Sequence, residues 1–206
     1  MINFQKLIVY VISSWSGFFV MSVELLGGRV LAPYFGSGIH VWGAVMTIFM
    51  LALALGYLVG GYLSANKPSV TKLAAILVIS AVAALPCVIG SYQTLEFIFD
   101  TTNDPRLGAL LASLLLFFLP ITIAGAISPY SIRLLIKGLG TSGKVAGIVF
   151  FVSTVGSALG TLLTSFFAVL YFELDHLFLF LISVSIIIGF TVIVYISSFK
   201  KNEISD

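Results

Sequence analysis

Charge is what this sequence has least of. Only 9% of its 206 residues are charged, eight acids against ten Lys and Arg. Soluble domains carry about 25%. A surface so poor in charge does not suit a soluble globule, and no nucleic-acid partner is expected. Cysteine is nearly missing too. Cys87 is the one cysteine, which excludes an intrachain disulfide and a thiolate metal cluster. It lies in an apolar run and reads as a small core residue. No catalytic triad, metal cluster or Walker loop is present. No catalytic residue, metal or cofactor is therefore expected.

What the chain does have is apolar surface. Hydrophobic residues make up 60% of it and the mean hydropathy is +1.17. Such a chain is an integral membrane protein, with the lipid bilayer as its first partner. A spanning helix needs about 20 mostly apolar residues. Segments 7–31, 40–64, 73–97, 107–127, 145–171 and 176–197 meet that length. The expected fold is an all-α, six-helix polytopic membrane domain over residues 1–206, with no soluble domain. The start resembles a secretory signal, with Lys6 before an apolar run. That run exceeds the usual 7–15 residues or so and has no small-x-small cleavage site, so it reads as a retained first helix.

Lys and Arg set the expected orientation. Lys6, Lys67, Lys72, Arg133, Lys137, Lys144, Lys200 and Lys201 fall on the N-terminal side, and only Arg29 and Arg106 on the other. Both termini are thus expected in the cytoplasm, and the chain in the cell (inner) membrane.

An internal repeat is also expected. Helix one ends in Ala32-Pro33-Tyr34, helix four in Ser128-Pro129-Tyr130. Helices two and five carry Gly56-x-x-x-Gly60 and Gly156-x-x-x-Gly160. Two units of three helices would be inverted relative to one another, as in each half of a major-facilitator transporter. Chance remains the plain alternative, since both patterns are common in membrane proteins.

Other motifs each carry a plain and a functional reading. Gly138, Gly140 and Gly143 match G-x-G-x-x-G, but a transmembrane helix precedes them where a strand is required, so this is a loop and not a nucleotide site. Ser153, Gly156, Ser157, Gly160, Thr161 and Thr164 share an arc of about 140° on helix five. Small residues let backbones approach, so close packing is the first reading, as for Gly56 and Gly60; the wall of a polar path is the second. Pro86 and Pro120 are expected to kink helices three and four.

Glu24 lies about 25 Å along helix one at ~1.5 Å per residue, near the outer edge of the hydrocarbon. An ionisable residue in a span is a functional hypothesis by default. Glu24 and Arg29 sit about 140° apart on an ideal helix. They meet only if the helix breaks at Gly27-Gly28. His40 and Trp42 start helix two on the same side. An outer polar pocket of Glu24, Arg29, His40 and Trp42 is one reading; an interfacial ion pair with an aromatic anchor is the other. Arg133, Lys137 and Lys144 are either positive-inside anchors or a docking surface. His40 and His176 share a side, but no further ligand completes a metal site.

The run Glu24-Leu-Leu-Gly-Gly-Arg29-Val-Leu-Ala-Pro33-Tyr-Phe-Gly36-Ser-Gly-Ile-His-Val-Trp42 resembles the membrane domain of the spermidine-synthase-like proteins, the fused major-facilitator/spermidine synthase group. Gly56-Tyr57, Gly60-Gly61, Ser128-Pro129-Tyr130-Ser-Ile-Arg133 and Ser153-Thr154-Val-Gly156-Ser157 resemble it as well. The likeness covers about residues 20 to 170. In fused members a soluble Rossmann-type aminopropyltransferase domain follows and uses decarboxylated S-adenosylmethionine. Only about ten residues follow helix six here. The resemblance therefore implies a membrane half without its enzyme.

Two functions follow as expectations. The first is an accessory subunit that recruits or regulates a cytoplasmic aminopropyltransferase-like enzyme through Arg133, Lys137 and Lys144, with a small polar or amine ligand at the outer pocket. The alternative is a transporter of a polyamine or amino-acid-like molecule, acting as a homodimer. The chain is not expected to be an enzyme by itself.

Overall fold

A computed structural model describes the backbone of residues 2–136 and 138–205, with side chains over 4–136, 138 and 140–198. The helices are α1 (Ile2–Phe35), α2 (Ile39–Leu63), α3 (Val70–Ala83), α4 (Pro86–Ile89), α5 (Ser91–Thr101), α6 (Pro105–Gly125), α7 (Ile127–Leu135), α8 (Ser142–Leu163), α9 (Val169–Tyr171) and α10 (Leu174–Ser205). A 3-10 turn, Leu139–Thr141, leads into α8, and a π-helical turn, Thr164–Ala168, joins α8 to α9. There is no strand among the described residues. Among the described residues six spans are long and apolar enough to cross a membrane: Phe4–Phe35, Ile39–Leu63, Val70–Ile89, Pro105–Leu135, Ser142–Tyr171 and Leu174–Ser198. The chain is an all-α, multi-pass membrane protein.

The third span differs from the expected 73–97. Pro86 brings no N–H, so the chain turns at Ala84 and Leu85, whose N–H groups bond the Ala81 and Val82 carbonyls at 3.1 Å. The helix restarts at Pro86 and ends at Gly90. Residues 91–101 form the separate helix α5. It buries Leu95 and Ile98 and exposes Glu96 and Asp100. Phe99 sits 6.1 Å from Tyr34 and 6.3 Å from Phe35, so α5 is tied to the end of the first span by aromatic contacts. The apolar run through Phe97 hides this boundary from a hydropathy reading.

Pro120 leaves a second mark. Without an N–H it frees the carbonyl four residues back, on Leu116. Cys87 Sγ donates to that carbonyl at 3.3 Å. The lone cysteine thus fills a gap that a proline on a neighbouring span opens. The fourth span itself bends at Ala126, where the N–H reaches Ile123 rather than the usual partner, at 3.2 Å.

Three pairings dominate the bundle: span one with five, two with four, and three with six. Glycines set the first two. A side chain on Gly156 would overlap the Ser14 carbonyl, and one on Gly160 would overlap that of Phe18. Across the bundle, a side chain on Gly56 would overlap the Thr122 carbonyl, and one on Gly60 that of Ala126. These glycines pack backbone on backbone, as expected of small-xxx-small patterns.

The same register appears twice. Ser16 Oγ lies 3.3 Å from the Ala124 carbonyl, 108 residues away. The same offset relates Ser14 to Thr122, Gly17 to Gly125 and Phe18 to Ala126. A single offset likewise relates Leu53 to Ser153, Gly56 to Gly156 and Gly60 to Gly160. Gly17 meets Ser153 as Gly125 meets Leu53. Spans one and two therefore pack with spans four and five as an inverted pair would, about a pseudo-twofold axis through Ser16 and Ala124. The motifs Ala32-Pro33-Tyr34 and Ser128-Pro129-Tyr130 do not fall on this offset. The glycines carry the repeat.

Candidate functional site

Basic residues give the depth of the axis. Lys6 lies ten residues before Ser16, Arg133 nine after Ala124 and Lys144 twelve before Gly156. At ~1.5 Å per residue these are about 15, 14 and 18 Å. Half a hydrocarbon layer is about 15 Å. Ser16 and Ala124 thus stand near mid-membrane, and the three cations mark one edge.

Glu24 is eight residues beyond Ser16, about 12 Å toward the opposite edge. It is half-buried. Arg29 is exposed about 20 Å beyond Ser16, outside the hydrocarbon. The helix does not break between them: α1 runs unbroken to Phe35. The reason lies in the rings opposite Gly27 and Gly28. A side chain on Gly27 would lie 3.0 Å from the Phe117 ring, and one on Gly28 2.6 Å from the Trp42 ring. The glycine pair makes room for two aromatics and leaves the helix intact. Glu24 and Arg29 consequently form no ion pair among the described residues.

Of the four residues placed at the outer pocket, Trp42 and Glu24 come nearest to sharing a site. Trp42 is half-buried over Gly28, one helical turn from Glu24. His40 is exposed beside Gly38. His176 Nδ1 lies 3.5 Å from Glu173 Oε2, and both side chains are exposed. Among the described residues no three of His, Cys, Asp and Glu stand close enough to hold a metal ion.

At the basic end, Arg133 and Lys144 are exposed and make no ion pair among the described residues. Lys137 lies outside the described residues. The neighbouring loop is well fastened. Tyr130, 1% exposed, accepts the Ser69 N–H at 3.1 Å, and Ser69 Oγ accepts the Lys72 N–H at 3.2 Å as an N-cap. Lys72 Nζ reaches the Asn66 and Lys67 carbonyls. The Gly138–Gly143 segment is a short turn, with Thr141 Oγ1 donating to the Gly138 carbonyl at 3.0 Å.

Two cavities among the described residues bear on function. The larger, about 870 Å³, is an apolar groove between spans one, five and six. Trp15 lines it, with its indole N–H fixed to Ser185 Oγ at 2.8 Å, and the π-helical turn at Thr164 shapes its wall. The smaller, about 80 Å³, lies on the pseudo-twofold axis. Ser16 and Ala124, Gly17 and Gly125, Leu53 and Ser153, and Tyr57 and Ser157 face each other across it as repeat-related pairs.

The small face of helix five thus divides in two. Gly156 and Gly160 pack on span one, while Ser153 and Ser157 line the axis cavity. Tyr57, Ser16 and Ser128 line it too and were not expected there. Tyr57 sits one residue after Gly56, so its place follows once that glycine is known to face span four. No family model, curated protein or solved structure matches the chain.

Proposed function

We propose that the chain is a membrane-embedded accessory subunit of the spermidine-synthase-like kind, which holds an aminopropyltransferase-like enzyme at the cytoplasmic face of the cell (inner) membrane. Both termini would lie on that face, by the excess of Lys and Arg there. The observation that carries this reading is the basic end: Arg133 and Lys144 are exposed and make no ion pair among the described residues, and Tyr130 ties the 64–69 loop to the helix that carries Arg133. Unpaired cations on a fixed support suit an acidic protein surface, because no salt bridge must break before docking. Lys137 belongs to the same sequence cluster. Glu24, Arg29, His40 and Trp42 would form a ligand site at the outer face, with Glu24 the group for an amine.

The test is a mild-detergent pull-down of tagged protein from its host, read by mass spectrometry. A soluble aminopropyltransferase-like partner is expected, and it is lost in Arg133→Ala with Lys144→Ala. A preparation with no soluble partner overturns the reading.

A second reading is favoured by the doubled packing register. Inverted repeats with a site near mid-membrane are the architecture of many secondary transporters. On this reading the chain moves a small molecule, as a homodimer with twelve helices like a major-facilitator protein. Solute uptake by proteoliposomes tests it; no uptake above empty liposomes overturns it.

A further inference from the structure

We propose that the axis cavity is a wet hydrogen-bonding site at mid-membrane for a small uncharged solute of the polyol or amide class. The inference rests on the repeat geometry of the transporter reading, and names the solute that geometry would hold.

Hydroxyl groups carry the argument. In a membrane helix a serine or threonine normally satisfies itself by bonding a carbonyl three or four residues back. Ser13, Ser80, Ser113, Thr122, Thr161 and Ser185 all do so, at 2.7–3.0 Å. The cavity hydroxyls differ. Ser128, Ser153, Ser157 and Tyr57 make no side-chain hydrogen bond among the described residues. No fully buried side-chain oxygen or nitrogen of a buried or half-buried residue lacks a partner among the described residues, so the hydroxyls of the half-buried Ser128, Ser153 and Ser157 open onto space; Tyr57 is itself exposed. A hydroxyl at membrane depth without a partner costs free energy. The three serines lining one cavity keep their bonding capacity for whatever fills it.

Size and charge narrow the occupant. A volume of about 80 Å³ has room for several water-sized groups and no large substrate. No Asp, Glu, Lys, Arg or His lines it. The nearest ionisable group on that face of α1 is Glu24, seven residues from Gly17 and three, or about 4.5 Å of helix rise, beyond Met21 at the cavity's end. No cation lines the cavity to meet an anion and no carboxylate lines it to meet a cation, so a charged ligand inside it lacks a direct counter-charge in a low-dielectric layer. Hydroxyls both donate and accept, which matches the alcohol or amide groups of an uncharged solute.

The test uses the full chain in proteoliposomes and iodoacetamide, a small uncharged amide that alkylates thiolates. Ser153→Cys and Ser157→Cys, made separately, change one atom each. A thiol ionises readily only where water reaches it, so both should react about tenfold faster than Leu159→Cys on the lipid-facing side and than native Cys87, with molar urea or glycerol slowing the reaction. If one variant fails to fold, the other decides. Reaction no faster than at Leu159→Cys means a dry cavity and overturns the proposal. The readout does not depend on flux. A labelled, protectable site in a protein that passes no solute keeps this inference and removes only the transporter reading.

Discussion

Replacing Gly156 with alanine is the sharpest perturbation of this packing. The new Cβ would lie 2.7 Å from the Ser14 carbonyl carbon and closer still to its oxygen. Both belong to a helix backbone, so no side chain can swing aside. Span five must move off span one. Overpacking of this kind costs about 1–3 kcal/mol. Alanine returns about 1 kcal/mol of helix propensity. With backbone on both sides the cost falls at the upper end of that range, so the net loss is about 2 kcal/mol, or roughly 4–8 °C in melting temperature for a chain this size. Gly147 supplies the control, since a Cβ there meets nothing within 4 Å. Gly147→Ala keeps the propensity gain alone and should hold or raise the melting temperature. Thermal unfolding in one detergent, followed by intrinsic fluorescence, compares the three proteins. Gly156→Ala melting at or above the parent would refute the backbone contact. So would an equal fall in Gly147→Ala. Gly56→Ala should repeat the loss, because it faces the Thr122 carbonyl in the equivalent pairing.

Other expectations follow from single contacts. Cys87→Ala strips the donor from the Leu116 carbonyl and should lose about 1–3 kcal/mol, whereas Cys87→Ser retains most of it. In Pro120→Ala the helix supplies its own donor, so the two changes should couple in a double-mutant cycle; additive losses would contradict the link. Tyr130→Phe removes the acceptor for the Ser69 N–H and should cost about 0.5–1.5 kcal/mol, with faster amide exchange at Ser69. Glu24→Gln and Arg29→Gln address the outer pocket. If both leave stability, ligand binding and cellular phenotype unchanged, that pocket has no role.

Apolar run length was enough to find that there are six spans among the described residues, because burying a helix in lipid demands about 20 apolar residues and little else, but not to end the third. Leu95, Phe97, Ile98 and Phe99 keep the hydropathy high past Gly90, although residues 91–101 form a separate amphipathic helix that buries Leu95 and Ile98. Gly27 and Gly28 misled for a different reason. Two glycines signal a break or a close approach, and only the partners, Phe117 and Trp42, decide which. The paired glycines of helices two and five were legible as packing surfaces. The register that proves informative, Ser16 against Ala124, has no sequence signature, since neither residue type is distinctive. Ser153 and Ser157 read as packing residues because a serine beside GxxxG usually is one. Their turn toward a cavity depends on Gly17 letting span one close in.

The most direct measurement concerns span one, which packs against spans four and five at the axis. Ser13 Oγ and Ser131 Oγ are 2.9 Å apart, as are Ser22 Oγ and Thr164 Oγ1. Cysteine pairs at 13/131 and at 22/164, with a protease site inserted in the 64–69 loop, can be oxidised in native membranes. After cleavage, each pair should hold the two fragments together on a non-reducing gel and release them on reduction. Fragments that separate in both cases would contradict the arrangement of span one on which the axis and its cavity depend.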